Sequence, residues 1–190
     1  MAESWYLVIM GRKNQDAKPF SYTKQIGKEK REEVFWKRFF QVPDLSAIPY
    51  HANWVKLSFT TVQDEDLEFL TKRIRSIEML DLKDTAITHV GIKHLLALEY
   101  LGELRLKESV NIDDLCLRYI GQIQSLNLLQ VNYTAITPDG LQHLKALYNL
   151  KTLFLSFDIE ETNVRRALDD LKKALPGCEV VVRGKTYTAN

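Results

Sequence analysis

The residues best suited to metal or nucleophilic chemistry are four histidines, His51, His89, His94 and His143, and two cysteines, Cys116 and Cys178. Two cysteines make neither a disulfide framework nor a zinc set. His94 and His143 share one column of the pattern described below, with Tyr119 between them. They are therefore two coils apart, about 10 Å at the usual strand spacing, while zinc bonds are only about 2 Å long. One ion cannot bridge them. Asp64, Glu65 and Asp66 cluster, but they precede a helix, where acids favour the dipole. The sequence has no glycine-rich phosphate loop, serine elbow or paired-carboxylate arrangement. It offers no catalytic residue, cofactor site or metal site, and the expectation is that the chain is not an enzyme.

A second polar set recurs at a fixed interval: Thr60, Thr85, Ser109, Thr134 and Asp158. Each member follows an apolar pair. Val55, Leu80, Leu104, Leu129, Leu153 and Cys178 are separated by steps of 25, 24, 25, 24 and 25. Leu57, Leu82, Leu106, Val131, Leu155 and Val180 repeat the same steps two residues later. Apolar residues two apart form one face of a strand. After the polar set come Leu67, Ile92, Leu117 and Leu141, followed at helical spacing by Leu70, Leu95, Ile120, Leu144 and Leu168 and then by Ile74, Leu98, Ile123, Leu147 and Leu171. The unit is strand, turn, helix, and residues 52–182 contain about six strands. A chain turning sharply after each strand leaves backbone groups unpaired, and a line of hydroxyls can satisfy them. The polar set is thus read as structural. Thr88 and Thr137 are expected to cap the helices that follow, with Pro138 at a first helical position.

Fragments of this unit resemble leucine-rich repeats. They are Leu80-Asp-Leu-Lys-Asp-Thr-Ala-Ile-Thr-His-Val-Gly-Ile and Leu129-Gln-Val-Asn-Tyr-Thr-Ala-Ile-Thr-Pro-Asp-Gly-Leu. The similarity is to the short strand-helix type found in the cysteine-containing and GALA-type subfamilies. The asparagine usual at the turn in many leucine-rich repeats is replaced here by Thr, Ser or Asp. The resemblance implies an α/β fold: a right-handed solenoid with parallel strands on the concave face, helices on the convex face and an amino-terminal cap. It also implies a module that binds another protein through the strand face. A narrower similarity links Asn149-Leu-Lys-Thr-Leu-Phe-Leu-Ser and Leu171-Lys-Lys-Ala-Leu-Pro to mitochondrial ATP synthase coupling factor B and its relatives. It implies an alternative role, an assembly or coupling factor of a membrane complex.

On that geometry the strand residues between the core columns face outward. The candidate partner-binding residues are Trp54, Lys56, Met79, Asp81, Arg105, Leu128, Gln130 and Phe154. Trp54, Met79, Leu128 and Phe154 are large apolar groups on an exposed face, the type that anchors binding hot spots. Lys56, Asp81 and Arg105 are expected to form an ion-pair ladder. Six strands with about 10 Å of exposed length each offer on the order of 240 Å² of flat area, against the roughly 800 Å² per partner of a stable interface. Rims, loops or the amino-terminal segment must contribute.

Residues 1–51 fall outside the repeat. Trp5–Met10 reads as a strand or a short helix, its β-branched and aromatic content favouring strand, residues 11–28 as loop, and Lys28–Gln41 as a helix carrying Val34, Phe35, Trp36, Phe39 and Phe40. This segment is expected to cap the first coil. Between Arg12 and Arg38 it holds nine Lys or Arg against four acids, so binding to nucleic acid or an acidic partner is a second reading. The polar end, residues 183–190, is expected to fray. Formal net charge is +1, which gives the whole molecule no field that would draw it to nucleic acid or an anionic membrane. The sequence shows neither a basic leader with a small-residue cleavage pattern nor a span-length apolar run, and a cytoplasmic, reducing location is expected.

Overall fold

The computed structural model describes residues 6–7, 27–42 and 44–189. It is an α/β structure built on one open sheet. The strands are β1 (Tyr6–Leu7), β2 (His51–Lys56), β3 (Ser76–Asp81), β4 (Tyr100–Arg105), β5 (Leu128–Gln130), β6 (Thr152–Leu155), β7 (Glu179–Val182) and β8 (Lys185–Thr186). They lie side by side in chain order. β1 to β7 run parallel, and β8 folds back antiparallel on β7. The helices are α1 (Lys28–Phe40), α2 (Asp64–Arg73), α3 (His89–His94), α4 (Asp114–Ile120) and α5 (Thr162–Ala174). A 3-10 helix, Pro138–Leu144, takes the place of an α-helix between β5 and β6. Each of α2, α3, α4, the 3-10 helix and α5 packs on the next, so the helices make a second layer along one face of the sheet.

The core lies between these layers. Val55, Leu80, Leu104, Leu129 and Leu153 are buried, as are Leu57, Leu82, Leu106, Val131 and Leu155 and the helical columns around Leu70, Ile120 and Leu144. Strand pairing follows the expected steps from β2 to β6: Val55 pairs with Leu80, Leu80 with Leu104, Leu104 with Leu129 and Leu129 with Leu153. The last step departs. Leu153 pairs with Val180 and Leu155 with Val182, so Cys178 and Val180 do not stand beside Leu153 and Leu155 as expected. The preceding helix, α5, runs for 13 residues, longer than α2, α3 or α4, and the longer arm brings the chain back two residues later. A slip of two keeps every side chain on its own face. Cys178 is still buried.

The turns after the strands share one backbone device. Phe59, Asp84, Glu108 and Tyr133 all have positive φ, between 52° and 64°. Each immediately precedes a member of the polar set. Thr60, Thr85 and Thr134 donate their hydroxyls to the carbonyls of Leu57, Leu82 and Val131 at 2.5, 2.8 and 2.6 Å. Ser109 reaches across coils instead: its Oγ donates to the Leu82 carbonyl at 3.0 Å and accepts from the Thr85 amide at 3.2 Å. The hydroxyls occupy carbonyls that the left-handed residue turns away from the ladder.

At the amino end α1 covers the first coil. Glu32, Phe35, Trp36, Phe39 and Phe40 fall at helical spacing on its buried face. The Phe35 ring lies 6.1 Å from that of Phe69 on α2. Gln41, left-handed at φ 52°, ends the helix, and its amide bonds the Lys37 carbonyl. Glu32 accepts from Lys72 Nζ and Arg73 Nε, both at 2.6 Å. Burial alone would raise its pKa, but the hydrogen bonds and charges of Lys72 and Arg73 outweigh burial and hold it below the ordinary value of 4.5. A lowered folded pKa means stability that is full above the ordinary value and is lost as pH falls through the folded value. Glu32→Gln should therefore destabilise the protein at pH 7, and the gap to the native sequence should narrow below pH 4.5. Urea titrations at pH 7 and pH 3 measure this, and a gap of equal size at both would rule the ion pairs out as its source.

The far end is ordered as well. Residues expected to fray form the hairpin of β7 and β8 through Arg183, at φ 48°, and Gly184. Tyr187 donates its hydroxyl to Asp169 at 2.8 Å, tying the hairpin to α5.

Candidate sheet-face binding site

The face of the sheet away from the helices carries all eight candidate residues. Trp54, Met79, Glu103, Leu128 and Thr152 stand side by side across β2 to β6, and so do Lys56, Asp81, Arg105, Gln130 and Phe154. Trp54 is 47% exposed, so the amino-terminal cap does not bury it. Met79, Leu128 and Phe154 are half-buried.

The expected ladder of Lys56, Asp81 and Arg105 does not close. Asp81 turns its carboxylate back to the Lys83 amide at 3.0 Å. Arg105 pairs with Glu103 on its own strand at 2.9 Å. Residues two apart on a strand share a face, and that bond competes with the neighbouring strand for the guanidinium. This ion pair also divides the apolar groups. Trp54 and Met79 lie on one side of it, Leu128 and Phe154 on the other. The register of β7 adds a further apolar member: Val181 stands beside Phe154.

A row along the carboxy-terminal ends of the strands was not legible as a unit. Lys83 Nζ sits 4.8 Å from the Phe59 ring centroid and 3.3 Å from Glu108. Lys107 Nζ sits 3.2 Å from Glu108 and 5.7 Å from the Tyr133 ring. Hydrogen bonding from Lys107, and secondarily from Lys83, holds the Glu108 carboxyl below its ordinary range. The order is aromatic, cation, carboxylate, cation, aromatic. It depends on the left-handed backbone of Phe59, Glu108 and Tyr133, which projects those side chains at the rim. Phe59 and Tyr133 are exposed there.

The acids and cysteines considered for chemistry are held in structural roles. The Asp64 carboxylate accepts from the Thr88 amide at 2.8 Å and its hydroxyl at 2.6 Å. Asp114 holds Thr137 identically, amide at 2.8 Å and hydroxyl at 2.6 Å. Thr88 also caps α3 by accepting from Val90, whereas Thr137, expected to cap, gives its side chain to Asp114 and makes no cap bond. Gly91 and Gly140 leave room for these carboxylates, since a Cβ would meet Asp64 Oδ1 at 2.4 Å or Asp114 Oδ1 at 2.1 Å. Glu65 pairs with Arg31 at 2.8 Å, and Asp66 accepts from the Gln63 amide at 2.8 Å. Burial pushes the thiol pKa of Cys116 up to about 12 and that of Cys178 up to about 11, so both are protonated at neutral pH. Among the described residues no three His, Cys, Asp or Glu are placed to hold a metal ion.

The basic amino-terminal stretch is partly accounted for in the same way. Lys28 pairs with Glu68, Arg31 with Glu65, and Arg38 donates to Thr61 at 2.7 Å. The basic residues from Arg12 to Lys24 lie outside the described residues. No described helix is long and apolar enough to cross a membrane.

Compared with known proteins, the chain matches no family model and no curated protein.

Proposed function

We propose that the chain is a leucine-rich repeat solenoid acting as a protein-interaction module, not as an enzyme, and that it grips a partner protein across the open sheet face and its rim. The observation that carries this reading is the set of large apolar side chains on that face, Trp54 with Met79 and Leu128 with Phe154, left uncovered by the helix layer. Anchors of this kind supply most of the binding energy at protein interfaces. The rim residues Phe59 and Tyr133 enlarge a flat area that is too small by itself. Their lysine neighbours are already fixed between rings and Glu108, so little rotamer entropy is lost on contact.

The test is affinity purification with mass spectrometry from the native cell, using the full chain and a Leu128→Lys, Phe154→Lys double variant. Both positions face away from the core, so the thermal midpoint should move by only a few degrees at most (~1 kcal/mol). Burying two unpaired ammonium groups should weaken binding by about 100-fold or more and remove the partner from the recovered set. Undiminished recovery would end this reading.

A further inference from the structure

The open face is not uniform in charge, and this bears on the partner. Its charged side chains crowd onto β2 to β4 and the adjoining rim: Lys56, Asp81, Glu103 and Arg105 on the strands, then Lys83, Lys107 and Glu108. Across β5 to β7 the outward strand residues are Leu128, Gln130, Thr152, Phe154, Glu179 and Val181, and Glu179 alone of these is ionisable. Glu179 already accepts from Thr186 Oγ1 at 2.8 Å, and at the rim of this half Arg183 pairs with Asp158 at 3.6 Å. Phe154 and Val181 adjoin across β6 and β7, so the apolar centre is contiguous. At the rim of this half, Asn132 has a buried Oδ1 that makes no hydrogen bond among the described residues. A turn of its terminal amide, about a soft torsion, presents that acceptor to an incoming donor.

From this we infer that the β5–β7 half of the face is the principal contact, and that the partner segment it takes is an uncharged polypeptide stretch with a large apolar anchor and a neutral hydrogen-bond donor. The inference rests on the interaction-module reading and narrows it. A charged partner side chain laid on this half would lose its water, while the few charges there, Glu179 and the Arg183–Asp158 pair, are already engaged within the chain. On the β2–β4 half the charges of both signs are largely used within the chain, Asp81 by the Lys83 amide, Glu103 by Arg105 and Glu108 by two lysines, leaving little to select a charged partner. An apolar anchor against Phe154, Leu128 and Val181 instead gains from burial without that cost. Binding through this half should respond weakly to salt.

A random peptide display library panned on the full chain supplies the probe. The same panning is run on Phe154→Lys, on Thr152→Lys and on Trp54→Lys. Thr152→Lys adds a charge to the patch without removing apolar packing, so it stands in if Phe154→Lys melts early. The expected peptides share an uncharged core segment with a large apolar residue. Their affinity should change by less than about two-fold between low and high salt. It should fall by about 30-fold or more on Thr152→Lys or Phe154→Lys and by less than about three-fold on Trp54→Lys. Peptides that carry charged cores and lose binding in salt would overturn the inference. So would peptides lost on Trp54→Lys but kept on the other two. Either result leaves the interaction module standing with its contact elsewhere. If no enriched peptide depends on any of the three positions, the inference and the module reading both fail.

Discussion

Trp36→Ala should lower the free energy of unfolding by about 3–5 kcal/mol, a large part of the roughly 5–15 kcal/mol of a domain this size. Trp36 is fully buried. Its ring centroid lies 5.0 Å from that of Phe35 and 4.8 Å from that of Phe40. Its indole Nε1 makes no hydrogen bond among the described residues, so removing the side chain frees no partner and the loss is one of packing. The truncation leaves a cavity beneath α1, against the first coil of the stack. The site cannot easily collapse, because Glu32 pins α1 to Lys72 and Arg73 of α2 one turn away. Each helix of the layer packs on the next, so an exposed end of the layer is expected to unravel first. Urea unfolding followed by tryptophan fluorescence and by far-ultraviolet circular dichroism should show the midpoint falling in both signals. If the two signals separate, α1 melts before the sheet. A loss below about 1 kcal/mol would mean that α1 is not a cap.

The regular middle of the chain was legible because one interaction repeats in it. From Val55 to Leu155 each buried position recurs at the step of its neighbours, and a strand register is fixed by which residues must be buried. The places where the sequence reading departed from the structure are those where the repeat is interrupted. The β7 register differs because α5 is longer than the helices before it, and nothing in Cys178-Glu-Val-Val-Val distinguishes one apolar alternation from the same alternation two residues on. The hairpin of β7 and β8 uses a tail of polar residues, where pattern reading has little to grip. Left-handed turns at Phe59 and Tyr133 run against residue preference, since bulky side chains rarely adopt positive φ. At Asp84 the same conformation is less surprising.

The site was legible in a different way. Alternation identified which residues face outward, and so named Trp54, Met79, Leu128 and Phe154. It could not say which charges would pair. Lys56, Asp81 and Arg105 share a row, yet Arg105 finds Glu103 along the strand and Asp81 finds a backbone amide. Rotamer choice within a few ångströms decides such pairs, and column spacing carries no information about it. Asp64 and Asp114 are a related case. Reading Asp64 as a helix-dipole acid, and making no reading of Asp114, missed that each reaches 24 or 23 residues along the chain to a threonine in the next coil. The signal was present in Thr88-His-Val-Gly91 and Thr137-Pro-Asp-Gly140, where a glycine stands opposite each carboxylate.

A glycine also gives the second large effect. Gly121 closes α4 with φ −61° and ψ −9°, values that any residue adopts. On conformational grounds alone, Gly121→Ala should stabilise the protein by about 0.4–1 kcal/mol, by restricting the unfolded chain. Packing reverses the sign. A Cβ at Gly121 would stand 2.0 Å from the carbonyl oxygen of His143 and 3.0 Å from its carbon. Those are backbone atoms of the next coil, at the end of the 3-10 helix, and they cannot swing aside as a side chain can. The coils must separate, loosening the contact of Leu117 and Ile120 with Leu141 and Leu144 in the core. The expected result is a loss of about 3 kcal/mol, the upper part of the usual range for overpacking. Gly177→Ala is the matched control: its Cβ meets nothing within 4 Å, and its φ is not positive. It should be neutral or gain a few tenths of a kcal/mol up to about 1. Thermal and urea unfolding of the pair give opposite signs if the coils are spaced as described, and a stabilising Gly121→Ala would show that α4 and the following coil are further apart.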